Sequence, residues 1–215
     1  MKKTTPLLAP AIAAFICVLF INLAGCGERT DSNTQGAAPG ARARELTQEE
    51  HFAQLKKRAE SGNAEAQFAL GWIYMRGEGY TGTTYMRDVP KDVEKAHDLY
   101  QKAAAQGHVN AQYNLGMLYK LGLGVKEDAD KAFMWLQKAA AQGNDIAQYN
   151  VGAMYADGAG VERNLARACA WVALAAAQGN EKARKNYFAI EPKLTPAERD
   201  EARRLAANWK KGDVI

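Results

Sequence analysis

The chain has 215 residues, with 28 Lys and Arg against 24 Asp and Glu, a balance too near neutral to argue for nucleic acid as a partner. Its three cysteines give no disulfide framework, and its three histidines, His51, His97 and His108, stand in no metal-binding or triad-like spacing. Composition therefore points away from nucleic-acid binding, disulfide scaffolds and metal catalysis.

The first segment has the layout of an address rather than of a fold. Lys2 and Lys3 are followed by no charged residue until Glu28, and the apolar and small residues from Leu7 to Ala24 form a run long enough to enter a membrane. The run ends in Leu23-Ala24-Gly25-Cys26, which resembles the bacterial lipobox. The resemblance implies a signal peptide over residues 1–25, cleavage before Cys26, and lipidation of Cys26 with diacylglycerol and an amino-terminal acyl chain, palmitate being the usual kind. An uncleaved anchor helix is the alternative. Gly27 in place of Asp favours, by the same resemblance, the outer membrane over the inner. Several acyl chains, at about 0.8 kcal/mol per buried methylene, hold a protein to a lipid bilayer far better than one. Removal of Lys2 and Lys3 leaves 26 bases against 24 acids, or +2. Cys17 leaves with the signal, so Cys169 stands alone. Residues 26–44 then read as the lipidated cysteine and a tether without apolar periodicity, spanning about 20 to 25 Å as a flexible coil.

From residue 45 onward the chain repeats itself. Ala111-Gln112-Tyr113-Asn114-Leu115-Gly116-Met117-Leu118-Tyr119 returns as Ala147-Gln148-Tyr149-Asn150-Val151-Gly152-Ala153-Met154-Tyr155, each pair 36 residues apart. A fixed period in this range signals a solenoid of one supersecondary unit, an architecture that builds binding surfaces more than catalytic pockets. Gly107, Gly143 and Gly179 end one helix of each unit, and the pairs Gly77/Gly79, Gly122/Gly124 and Gly158/Gly160 end the other. Asp92, Asp128 and Asn164 stand where a new helix needs an N-cap acceptor. The expected units are a half repeat at 45–62, repeats at about 63–107, 108–143 and 144–179, and a partial one at 180–190. The first repeat is nine residues longer than the second, and alignment places its extra segment at Tyr80 to Asp88, in the loop between its helices.

On a helical wheel of the second unit, Leu115, Leu118, Tyr119 and Gly122 fall within about 80 degrees of Ala111 and form with it the expected core stripe. Gly116 lies mid-helix, where glycine costs about 1 kcal/mol relative to alanine, and its return as Gly71 and Gly152 asks for close approach of a neighbouring helix. In the second helix of each unit the small Ala96, Ala132 and Ala168 admit the neighbour. Leu99 with Tyr100, Trp135 with Leu136, and Trp171 with Val172 fill the space around it. Thr195-Pro196-Ala197-Glu198 opens a capping helix within 191–215, with Ala202, Leu205, Ala206 and Trp209 toward the last repeat.

These residues resemble the Sel1-like repeat family, a relative of the tetratricopeptide repeat. Its pattern is carried in the second unit by Ala111, Leu115, Gly116, Tyr119, Gly122, Gly124, Val125, Lys131, Ala132, Trp135, Lys138, Ala139, Ala140 and Gly143. The third unit has Arg167 and Leu174 for two of the lysines, and the first has Leu99 where tryptophan is expected. The resemblance implies an all-α, right-handed α/α solenoid and a protein or peptide ligand in its concave groove. It puts the outer face of the first helix of each unit on that groove: Phe68, Trp72 and Met75, then Tyr113, Met117 and Lys120, then Tyr149, grading toward Lys182 and Lys185. Rings and methionines on one face suit recognition of a peptide or partner helix. Burial of the same rings between repeats is the plainer expectation. Tyr80 and Tyr85 of the insertion are further candidates for partner contact.

No catalytic residue, metal or cofactor is expected. His97 and Asp98, as sequence neighbours, are expected to point to different sides of their helix, and Cys169 is expected to be a small, partly buried side chain. The resulting expectation is a monomeric, membrane-anchored periplasmic scaffold or assembly factor for an envelope complex. An immunity protein against a periplasmic toxin is the second expectation. A cell-wall or beta-lactam enzyme is the third, weakened because the chain lacks the repeated cysteine pairs of the members linked to beta-lactams.

Overall fold

The computed structural model describes residues 47–77, 79–80, 85–86 and 89–215. The signal, Cys26 and tether expectations lie outside these residues. So do the side chains of Tyr80 and Tyr85, of which only the backbone is described.

Thr47 opens the fold with a reciprocal capping box: its hydroxyl accepts the Glu50 N–H at 3.2 Å while the Glu50 carboxylate accepts the Thr47 N–H at 2.8 Å. Helix α1 (Gln48–Glu60) follows, then α2 (Ala64–Arg76), α3 (Val93–Ala105), α4 (Val109–Leu121), α5 (Ala129–Ala141), α6 (Asp145–Asp157), α7 (Leu165–Ala177) and α8 (Glu181–Ile190). A 3-10 turn at Glu191–Lys193 leads into α9 (Pro196–Asn208). Each pair α2/α3, α4/α5 and α6/α7 is a helical hairpin, and successive hairpins stack to bury one continuous core. The insertion adds a small element that an all-helical expectation omits. Strands β1 (Gly79–Tyr80) and β2 (Tyr85–Met86) pair antiparallel, with Gly79 opposite Met86 and Tyr80 opposite Tyr85.

The first helix of each repeat is capped by a short side chain whose acceptor meets the N–H three residues on, Asn63 for α2 and Asn144 for α6. Helix α4 has His108 in that place, with Nδ1 accepting from the Ala111 N–H at 3.2 Å. The second helices use Asp92, Asp128 and Asn164, as their register implies. Helix α5 ends in a Schellman arrangement: Gly143, at φ 92°, donates to Ala140, and Asn144 donates back to Ala139.

Inside, Ala111 and Leu115 of α4 are fully buried, as are Ala132, Leu136 and Ala139 of α5, and each buried leucine contributes about 1.5–3 kcal/mol. Two members of the expected stripe differ. Tyr119 is only half-buried, and Gly122 is exposed because it is the left-handed cap past the last turn of α4. The mid-helix glycines are where paired helices touch. A Cβ at Gly116 would lie 2.7 Å from Leu136 Cγ, one at Gly152 2.6 Å from Val172 Cγ2, and one at Gly71 2.9 Å from the Tyr100 ring.

Candidate functional site

The outer residues of α2, α4 and α6 form a column in which each ring lies against the next repeat. Phe68 stacks on His108 at 4.6 Å between centroids and approaches Tyr100 at 5.9 Å. Tyr113 packs on the core of the third repeat, and burial, with the Asp145 carboxylate nearby, pushes its phenol above the ordinary range. Tyr149 accepts a hydrogen bond from Asn186 Nδ2 at 3.3 Å and packs against the cluster under α8 and α9. Met75 and Met117 bridge in the same manner, and Lys120 donates from Nζ to Asn150 Oδ1 at 3.0 Å. All of these side chains are half-buried: each has one flank in the stack and one in solvent. Trp72 is the exception in its surroundings. It belongs to none of the hydrophobic clusters of described residues, and its ring is held instead by the Arg76 guanidinium at 4.9 Å.

A polar thread runs beneath this column. Gln67, Gln112 and Gln148 are buried, and each donates from Nε2 to a carbonyl of the preceding helix, that of Ala59, Ala104 or Ala140, at 3.1–3.2 Å. Each also accepts, at 2.7 Å, the amide of Gln106, Gln142 or Gln178 at the end of its own repeat. The glutamines are visible as repeated letters, but nothing in a hydrophobic wheel assigns a role to a buried amide; their recurrence at the same place in each repeat is the signal the sequence offers.

The histidines and the cysteine are tied into the fold. His97 Nδ1 lies 3.3 Å from Asp98 Oδ1, so the expectation that these neighbours point apart is corrected: the flexible Asp98 side chain curls back along the helix surface. On its other side His97 Nε2 meets the Tyr119 hydroxyl at 3.1 Å, linking α3 to α4. His108 Nε2 faces Glu65 Oε2 at 2.9 Å, so this ring caps one helix and links it to another. Cys169 is buried, and burial, assisted by Glu191, pushes its thiol up to about 11, which keeps it from being a thiolate nucleophile near neutrality. Among the described residues no group of His, Cys, Asp and Glu is arranged to hold a metal ion.

Trp209 lies toward the last repeat, as its place on the capping helix implies, and the residues after it fold back on that repeat, a contact absent from the sequence expectations. Trp209 meets Trp171 edge-to-face at 6.4 Å, and Gly212 donates its N–H to the Ala141 carbonyl at 2.7 Å. The Ile215 carbonyl then accepts from Trp171 Nε1 at 3.1 Å and from the Tyr155 hydroxyl at 3.2 Å.

Stacked helical hairpins with half-buried rings along one face define a repeat protein of the interaction-scaffold class. Residues 64–108, 109–144 and 145–180 match the Sel1 repeat, more than half of the chain, and the chain belongs to the Sel1 repeat family. These repeats begin one residue later than the glycine register suggests. Sel1 repeat proteins act as protein-interaction scaffolds and are generally non-catalytic. The chain is similar to a protective antigen of uropathogenic Escherichia coli with an SLR fold, at 35% identity and a TM-score of 0.65, over 80% of this chain and 35% of that one. It is also similar to a Sel1 repeat protein from Oxalobacter formigenes, at 36% identity and a TM-score of 0.57, over 64% of this chain and 97% of that one. An uncharacterized protein of Neisseria meningitidis is 40% identical over 80 residues, which are 37% of this chain and 15% of that protein.

Proposed function

We propose that this chain is a lipid-anchored envelope protein whose first-helix face holds a protein partner, so that it serves as scaffold or assembly factor for a complex at the membrane. Trp72 carries the proposal. It is a large, half-buried ring outside the hydrophobic clusters of described residues, steadied by Arg76 and one helical turn from Phe68 on α2. Rings already fixed by packing lose little entropy on binding, which makes them effective anchors. The lipobox-like Leu23-Ala24-Gly25-Cys26 supports an acylated Cys26, and Gly27 supports placement in the outer membrane facing the periplasm.

Photo-crosslinkers at Trp72 and Tyr113 in living cells are expected to capture the same protein, while crosslinkers at the exposed Glu162 and Lys193 do not. Equal capture from all four positions, or none from the first two, overturns the proposed face. In parallel, metabolic labelling with palmitate is expected to mark the protein and to be lost on Cys26→Ser. No label on the unaltered chain, or label retained on Cys26→Ser, overturns acylation at Cys26.

A further inference from the structure

The folded-back segment turns at Lys210–Asp213 and is bound in the step between α5 and α7, and it shows what that step recognises. One end is held by a backbone N–H, Gly212 to the Ala141 carbonyl at the end of α5. The other is held at the main-chain oxygen of Ile215, which accepts from the Trp171 indole and the Tyr155 hydroxyl. Ile215 packs on the same buried cluster as Phe133 and Leu174, and Trp171 is fully buried there.

The step between α3 and α5 has the same frame 36 residues earlier. Trp135 stands for Trp171, Tyr119 for Tyr155, His97 for Phe133 and the end of α3 at Ala105 for Ala141. The ring geometry is repeated as well as the register. Phe133 meets Tyr155 edge-on at 5.2 Å and 88°, and His97 meets Tyr119 at 5.5 Å and 88°. The Trp135 ring is half-buried, and its indole N–H has no acceptor among the described residues.

Two positions differ, and the first changes the chemistry. Leu174 is replaced by Lys138, whose ammonium lies 4.2 Å from the centre of the Trp135 ring and pairs with no carboxylate among the described residues. Phe133 is replaced by His97, whose two ring nitrogens are taken by Asp98 Oδ1 and the Tyr119 hydroxyl. Asp98 beside His97 is the acid of this surround, and the nearby Lys131 is already paired with Asp128 at 2.9 Å.

We infer that the step between α3 and α5 is a second peptide-binding site, which takes a segment of a partner protein in the way the third repeat takes Gly212–Ile215, but with a carboxylate side chain where that segment has Ile215. The partner's carbonyl accepts from the Trp135 indole and its carboxylate from Lys138. The site lies on the second helices and does not rest on the face proposed around Trp72.

The probe is a fluorescein-labelled, amidated peptide of the sequence 210–215 carrying Ile215→Glu, titrated with the full chain and followed by anisotropy. It is expected to bind roughly tenfold tighter than the same peptide with isoleucine, and to weaken at least about tenfold on Trp135→Phe or Lys138→Glu. Trp72→Phe is expected to leave its binding unchanged. Lys138 is exposed, so Lys138→Glu tests the site even if Trp135→Phe alters folding. The inference is overturned by no binding at millimolar protein, by equal affinity for the two peptides, or by insensitivity to Lys138→Glu. Loss on Trp171→Phe with Trp135→Phe inert also overturns it, since the peptide would then be displacing the chain's own segment.

Discussion

At the scale of single residues, the mid-helix glycines show how a locally unfavourable choice is made necessary by a neighbour. Alanine at such a site regains about 1 kcal/mol of helix propensity, whereas an overpacked core costs about 1–3 kcal/mol, so the contact decides the sign. At Gly152 a Cβ meets Val172 Cγ2 at 2.6 Å and the Ala168 carbonyl oxygen at 3.0 Å, and backbone yields little. At Gly71 it meets the edge of the Tyr100 ring at 2.9 Å and Leu99 Cβ at 3.3 Å, side chains rather than backbone. Gly152→Ala is therefore expected to lower stability by about 1–2 kcal/mol in urea unfolding, and Gly71→Ala by clearly less. The sequence alone indicated that these glycines admit a helix, because nothing else justifies glycine in mid-helix. Their ranking needed the identity of the touching atom. Trp72 and Tyr113 were likewise visible as rings on one face, but that Tyr113 leans into the next repeat while Trp72 pairs with Arg76 is set by stacking geometry, which a single-helix wheel does not contain.

At the scale of elements, the helix starts differ in what acid does to them. The Lys95 side chain holds the Asp92 carboxyl below its ordinary value, and the Lys131 backbone N–H, then its side chain, does the same for Asp128. Desolvation at the partly exposed Asp92 and Asp128 opposes the shift and is outweighed. A carboxyl lowered in the folded state contributes stability above its unfolded value, near pH 4, and that contribution is lost as pH falls through the lowered folded value. Asn164, which caps α7, does not titrate. Amide exchange measured between pH 4 and 2 is thus expected to show the first turns of α3 and α5 loosening while that of α7 holds, and Asp128→Asn is expected to remove the difference for α5. The glutamine thread is also an element-scale device. Gln112→Leu removes one bond each from the Gln142 amide and the Ala104 carbonyl, which keep the Gly107 carbonyl and the Gly107 N–H respectively, at about 0.5–1.5 kcal/mol for each bond lost. The pair Gln112→Leu with Gln142→Leu is expected to cost less than the sum of the single changes, by about 0.5–3 kcal/mol in a double-mutant cycle. Full additivity would mean the rung is not coupled. The caps were readable from Asp92, Asp128 and Asn164 because a cap is a local bond. The thread was not, because each of its bonds joins residues at least eight apart in sequence.

At the scale of the whole molecule, stability in a stacked array is a sum of units and the interfaces between neighbours, so an end contact acts locally. Removing residues 209–215 uncovers Trp171 and the Tyr155 hydroxyl. Hydrogen exchange is expected to quicken in α6, α7 and α9 of such a truncation and to remain unchanged in α2 and α3. Uniform quickening would show that the array unfolds as one unit. Solenoid order followed from the 36-residue period, whereas the return of the final segment did not, since Lys210 to Ile215 carries no periodicity to mark its target. The amide thread has a consequence for how such a molecule can change in length. Each repeat offers a buried glutamine to the helix before it and receives one from its own end, so its two faces are matched like the ends of a tile. The series stops at α8, where Arg184 occupies the glutamine position and turns to Glu181 at 2.6 Å. A duplicated or excised repeat upstream of that arginine would leave every donor facing an acceptor, so the array can grow or shrink by whole units without a new contact being invented.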